Sequence, residues 1–153
     1  MAITTTNWLC KPFKTLTNIE LYALLHLRSQ VFVVEQNCVF LDIDNKDQNC
    51  HHLIGYNGET LVAAARLVPP SIIYQQISIG RVVSNPTYRG TGIGKTLMQK
   101  AIAQCYQLFG QGDIKIGAQL YLKKFYESFG FVQISNVYLE DGIDHVEMVL
   151  SPI

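Results

Sequence analysis

At 153 residues the chain has the length of one domain (1–153), and 48% hydrophobic against 16% charged residues is the balance of a folded protein rather than a disordered one. Twelve Lys and Arg offset twelve Asp and Glu, so no nucleic-acid partner is expected. With no basic-then-apolar leader and no apolar run of membrane-spanning length, no membrane association is expected either, and the location is read as cytoplasmic.

Asn7 to Phe13 suits a first strand. Thr17-Asn-Ile-Glu20 is a capping box, which starts a helix near Asn18 with Leu21, Leu24, Leu25, Val31 and Phe32 on its apolar face. A loop rich in Asp and Asn follows from Cys38 to Asn49. His52 to Tyr56 and Leu61 to Val68 are two apolar runs joined through Asn57-Gly58, a hairpin signal, and Pro69-Pro70 closes the second. Ile77 to Val83 is a third strand of this sheet. A helix after the glycines runs to about Phe109 and stops at Gly110-Gln-Gly112. Ile114 to Ala118 reads as a strand, Leu120 to Phe129 as a helix ended by Gly130, and Phe131 to Leu139 with His145 to Leu150 as an antiparallel pair. Strands outnumber helices and only the middle has a βαβ rhythm, so a mixed sheet is expected.

The four cysteines (Cys10, Cys38, Cys50, Cys105) stand apart without a CxxC pair and read as free thiols. Cys50-His51-His52 cannot readily converge on one ion, because strand neighbours point to opposite faces, and no metal is expected.

The segment from Ile77 to Met98 is a strand, a glycine-rich turn and a helix start, an arrangement that directs backbone N–H groups and a helix dipole at one spot. A P-loop would share Gly94-Lys95-Thr96 but needs glycine where Arg89 stands. A dinucleotide loop needs G-x-G-x-x-G, and the spacing Gly90, Gly92, Gly94 does not match it. The third pattern, [QR]-x-x-G-x-[GA], is met by Arg89-Gly-Thr-Gly-Ile-Gly94. Downstream stands Ala118-Gln-Leu-Tyr-Leu-Lys-Lys-Phe-Tyr-Glu-Ser-Phe-Gly-Phe131. With these two motifs in this order the chain resembles the GNAT acetyltransferase superfamily. Leu27 to Gln36, Gly80 to Val83 and Glu140 to His145 look like its ElaA-like branch.

The resemblance implies an α/β (α+β) GNAT fold: a mixed, mostly antiparallel sheet of about seven strands, a central parallel pair splayed at a coenzyme A site, and helices on both faces. It implies an N-acetyltransferase that moves acetyl directly from acetyl-CoA to a primary amine of a small molecule or peptide. A non-catalytic acyl-CoA sensor on the same fold is the alternative, and a homodimer is compatible with the family. The diphosphate would lie on the backbone of Arg89, Gly90, Thr91, Gly92, Ile93, Gly94 and Lys95. The pantetheine arm would pair with Val82, Val83 and Ser84, with Gln119 also at the coenzyme. Tyr126 aligns with the tyrosine that serves the leaving thiolate as acid, beside an aromatic stripe of Phe125 and Phe129; Tyr121 is its fallback.

The base is open. Arg28 and Glu35 lie on the apolar helix stripe and form either an internal ion pair or part of the acceptor pocket, with Glu35 as base. His52 and His145 are either core histidines or bases. Arg66 and Arg81 in apolar strands need anionic partners such as Glu35, Asp44 and Asp47, and Arg81 is a further acceptor-site candidate.

Overall fold

In the computed structural model, which describes residues 5–153, the hydroxyl of Thr17 accepts from the Glu20 N–H at 3.1 Å and the Glu20 carboxylate accepts from the Thr17 N–H at 2.9 Å. This reciprocal cap, worth about 1 kcal/mol, starts α1 (Asn18–Arg28) where the sequence places it. Leu24, Leu27 and Val31 pack on Ile54, Leu61, Ala64 and Val83 of the sheet. The chain does not leave the helix at Arg28. Ser29–Glu35 continues in wider π-type turns, with the Gln36 N–H reaching Val31 O at 3.1 Å and the Cys38 N–H reaching Val33 O at 3.0 Å, both five residues back.

Four antiparallel strands follow one another across the first half of the sheet: β1 (Asn7–Pro12), β2 (His51–Asn57), β3 (Thr60–Val68) and β4 (Ser78–Ser84). Asn57 pairs with Thr60, so the β2–β3 tip is Gly58-Glu59, one residue later than the sequence suggests. On the face opposite α1 lies α2 (Ile93–Phe109), which buries Leu97, Met98, Ala101 and Cys105. Gly110 ends it at φ 88°, a left-handed turn that suits glycine. Fully burying a side chain such as Leu97 or Met98 contributes about 1.5–3 kcal/mol, which makes this helix the main clamp on the sheet.

The second half comprises β5 (Ile114–Gln119), the short helix α3 (Lys123–Glu127), β6 (Val132–Gln133), β7 (Tyr138–Glu140) and β8 (Ile143–Leu150). β8 pairs antiparallel with β5 on one side and with β6 and β7 on the other. The halves meet where Ile77, just before β4, forms a parallel bridge to Ile114, and the Lys115 N–H donates to Ile77 O at 2.8 Å. Beyond that rung β4 pairs with β3 alone and β5 with β8 alone, so the central parallel pair splays as expected.

Two expectations change in detail. Phe131 to Leu139 is not one strand: a bend at Ile134–Val137 splits it into β6 and β7, where the Ser135 hydroxyl accepts from the Glu147 N–H at 2.8 Å. The strands therefore number eight among the described residues rather than about seven. The helix expected from Leu120 to Phe129 begins as a single 3-10 turn (Leu120–Leu122) and is regular only over Lys123–Glu127. Among these residues no helix is long and apolar enough to cross a membrane.

Candidate active site

The splay opens a groove of about 940 Å³ that passes through the sheet between β4 and β5. Its shape begins in β4. Ala64 pairs with Val83 and Arg66 with Gly80, so one extra residue sits in β4 and Arg81 takes a left-handed φ of 47°. Such a bulge bends its strand. It leaves the free edge of β4 along Val82, Val83 and Ser84 facing the groove, all three of which line it.

At the end of β4 the Asn85 N–H bonds to Val62 O at 2.8 Å and the Asn85 side chain caps the turn Pro86–Tyr88. Buried Tyr88 anchors that turn, and the Thr91 hydroxyl donates to Tyr88 O. Gly90 and Gly92 have φ of 79° and 82°, and a side chain at either would meet nothing within 4 Å. Gly92 is the N-cap of α2 and supplies no side-chain cap, so the first N–H groups of the helix, from Ile93 onward, lack partners within it. Open space before uncapped N–H groups at a helix dipole fits the diphosphate of coenzyme A. Gly94 lies over Phe125, where a Cβ would find its ring at 3.8 Å. Lys95 is exposed on the outer side of the first turn.

Tyr126, on α3, lines the groove from the α2 side at 7% exposure. Its ring packs edge-on against Phe125 at 5.2 Å and Phe131 at 6.0 Å. Burial pushes its phenol up to about 12, so the hydroxyl is a donor that keeps its proton. Tyr121 also lines the groove but is largely exposed.

Glu35 does not meet Arg28. The π-type turns after Arg28 rotate it off the apolar stripe and bring it to the groove mouth, where both its oxygens accept from Arg89, at 2.8 and 2.6 Å. This bidentate bond holds its carboxyl below the usual range, and a carboxylate so held is a weak base. The next residue, Gln36, forms a reciprocal amide pair with Gln119 at 3.3 and 3.2 Å. One short segment thus ties to the glycine-rich loop at Arg89 and to the end of β5. No pattern in the sequence announces Gln36.

Arg28 and His52 stand apart from the groove. Arg28 is fully buried and bonds to Asp42 at 3.0 Å and Asp47 at 2.8 Å, because α1 carries it beneath the acidic loop. An acceptor-contact role does not fit that position. His52 Nε2 sits 3.0 Å from Asp47 O, its Nδ1 lacks a partner, and burial pushes its imidazole down. It lies within the core beside Phe13, which does not suit a base at the groove. His51 turns the other way, onto Phe109. Among the described residues no three His, Cys, Asp or Glu side chains gather as a metal site.

The acidic loop is an ion-pair hub. Arg66 bonds to Asp44 at 2.8 Å and Asp47 at 3.1 Å, and Arg81 approaches Asp42 at 2.8 Å and Asp44 at 3.4 Å. Burial raises the Asp44 carboxyl, but bonds from Arg66 and the charges of Arg66 and Arg81 outweigh it and carry it down to about 2. Arg66, Arg81 and Asp44 form one wall of the groove, with Phe40 under the Arg81 guanidinium. His145 lines the groove as well, as do Tyr74, Gly117 and Glu140. The hydroxyls of Tyr74 and Tyr138 both lie 3.2 Å from where a Gly117 Cβ would stand, so glycine there makes room for them. Neither tyrosine is marked by a motif.

A family model described as "Acetyltransferase (GNAT) domain" matches residues 30–152. Protein ElaA of Escherichia coli strain K12 is 42% identical over 131 residues, 84% of this chain and 86% of that one. A UPF0039 protein of Schizosaccharomyces pombe is 43% identical over 142 residues, 92% and 93% of the two chains. In structure, an acyl-CoA N-acyltransferase from Pseudomonas aeruginosa superposes with a TM-score of 0.91 at 41% identity, covering 95% of this chain and 99% of the other.

Proposed function

Because the chain belongs to the GNAT acetyltransferase family, in its ElaA-like branch, we propose that it transfers acetyl from acetyl-CoA directly to a primary amine of a small molecule or peptide. The observation that carries this is a groove that joins Arg89 and Gly94 at the start of α2, the free edge of β4 at Val82, Val83 and Ser84, and the ring of Tyr126.

The diphosphate rests on the loop from Arg89 to Lys95, where Gly90 and Gly92 keep the backbone open to it. The pantetheine amides pair with the unpaired edge at Val82, Val83 and Ser84 as an added strand would. A backbone N–H of that edge, aimed at the thioester oxygen, stabilises the charge that grows there as the amine attacks. Tyr126 then donates to the departing sulfur. Gln119 positions the end of β5 through Gln36. The cysteines take no part: Cys38, Cys50 and Cys105 are buried, and burial raises the thiols of Cys10, Cys50 and Cys105.

The test is steady-state release of thiol from acetyl-CoA in the presence of polyamines, aminoglycosides, amino acids and peptides. At least one amine class is expected to accelerate release and to appear acetylated by mass spectrometry. Tight coenzyme A binding with no acceleration by any amine would instead favour a sensor.

A further inference from the structure

The groove has two faces, and the register of β5 with β8 decides which side chains each receives. Ala118 pairs with Val146, and both are buried in the core that holds Tyr126. Gln119 pairs with His145 one residue on, and strand alternation sends both to the other face. There the His145 Nδ1 sits 2.7 Å from Ile143 O. A carbonyl oxygen only accepts, so Nδ1 carries the hydrogen and the neutral ring keeps its lone pair on Nε2. Nε2 is 3.5 Å from Glu140 Oε2, and the Tyr138 ring faces the imidazole at 5.9 Å between centroids.

We infer that His145 is the catalytic base that takes the proton of the acceptor amine, on the face of the sheet opposite Tyr126. This rests on the transferase reading and adds the group that reading lacks. The amine arrives as an ammonium ion and gives one proton to His145 Nε2, which passes it to solvent beside Glu140. The freed nitrogen pair forms the C–N bond to the thioester carbon. The C–S bond breaks with its electron pair going to sulfur, and Tyr126 donates a hydrogen bond to the sulfur as its charge grows. The nitrogen's second proton reaches the thiolate through groove water and makes the thiol. The sum is one amide, one thiol and one proton released.

The titratable groups facing His145 are Glu140 and Tyr138 from β7, Tyr74 from the loop before β4, and Glu147 with its partner Lys115 one rung along. Across the groove stand Asp44, Lys46 and Arg81, with Cys38 bonded at the β7–β8 turn.

The experiment measures kcat/KM against pH for the best amine with wild type and H145N, alongside acetyl-CoA affinity by calorimetry and thermal melting. H145N should lose about 100-fold at neutral pH, the lower end of what a positioned base contributes, with acetyl-CoA affinity within threefold. The deficit should shrink above pH 9, as more of the amine arrives neutral. Nitrogen-15 NMR of the wild-type imidazole, which needs no turnover, should show Nδ1 protonated and Nε2 bare. H145N within threefold of wild type with its acid limb intact would overturn the assignment, as would the opposite tautomer. A loss in H145N that tracks weaker acetyl-CoA binding or lower melting would overturn it too. A wild type that acetylates no amine yet shows the expected tautomer would count against the transferase reading and remove the base with it.

Discussion

Tyr126→Phe removes one oxygen and leaves the ring among Phe125 and Phe131, so the fold should hold to about 1 kcal/mol. The phenol is held at about 12 by burial, whereas a thiol ordinarily titrates at about 8.5. Complete transfer to the thiolate is then uphill by about 3.5 units, or ~5 kcal/mol. The larger contribution is therefore a hydrogen bond that persists while charge grows on sulfur. Such a charge-assisted bond is worth about 1.5–3 kcal/mol. Its loss lowers kcat by about 10- to 150-fold. Because Tyr126 keeps its proton to about pH 12, the loss should be the same from pH 7 to 10. Steady-state thiol release gives kcat, and calorimetry gives acetyl-CoA affinity, which should not move. A kcat within twofold of wild type would return Tyr126 to a packing role. A fall in affinity equal to the fall in kcat would do the same.

Gly92→Glu puts a side chain on a left-handed residue, a strain of about 1–2 kcal/mol, and a negative charge where the diphosphate would lie. The variant should melt a few degrees lower yet stay folded and lose coenzyme A binding by calorimetry; retained binding would refute the loop assignment. Glu35→Gln frees Arg89 and removes an anion from the groove mouth, so coenzyme A should bind a few-fold tighter at low salt with kcat within threefold. A 100-fold loss of kcat would restore Glu35 as the base. Asp44 lies below its unfolded value, so its contribution of about 2 kcal/mol is present above pH 4 and lost as pH falls toward 2. Acid unfolding followed by circular dichroism should begin in that window for wild type and be shallower in Asp44→Asn, which should already be less stable at pH 7.

The local conformations behind the proposed donor half were legible because their signals are short-range. Each glycine of Gly90-Thr-Gly92 reports a backbone conformation, and Thr17 with Glu20 reports a cap, within four residues of chain. Stripe reasoning failed at Glu35 for an equally physical reason. It assumed the α-helical period through residue 35, but the helix widens at Ser29, so seven residues no longer return to one face. The helical period makes Arg28 and Glu35 possible partners, yet each instead bonds to charges far along the chain, at Asp42, Asp47 and Arg89.

The acceptor half is different in kind. Gln36, Tyr74, Gly117 and His145 come from four separate segments, and only strand register and loop closure bring them to one wall. Strand pairing has a side-chain period of two, so a one-residue slip of β8 against β5 would send His145 into the core and Val146 into the groove. What prevents the slip is burial: Val146 and Met148 are fully enclosed with Ile116 and Ala118, and a slip would exchange them for His145 and Glu147. Burying those polar groups without partners costs several kcal/mol. The same core that seats Tyr126 on one face therefore fixes His145 on the other. The two groups proposed to handle protons are held on opposite faces of the sheet by one register.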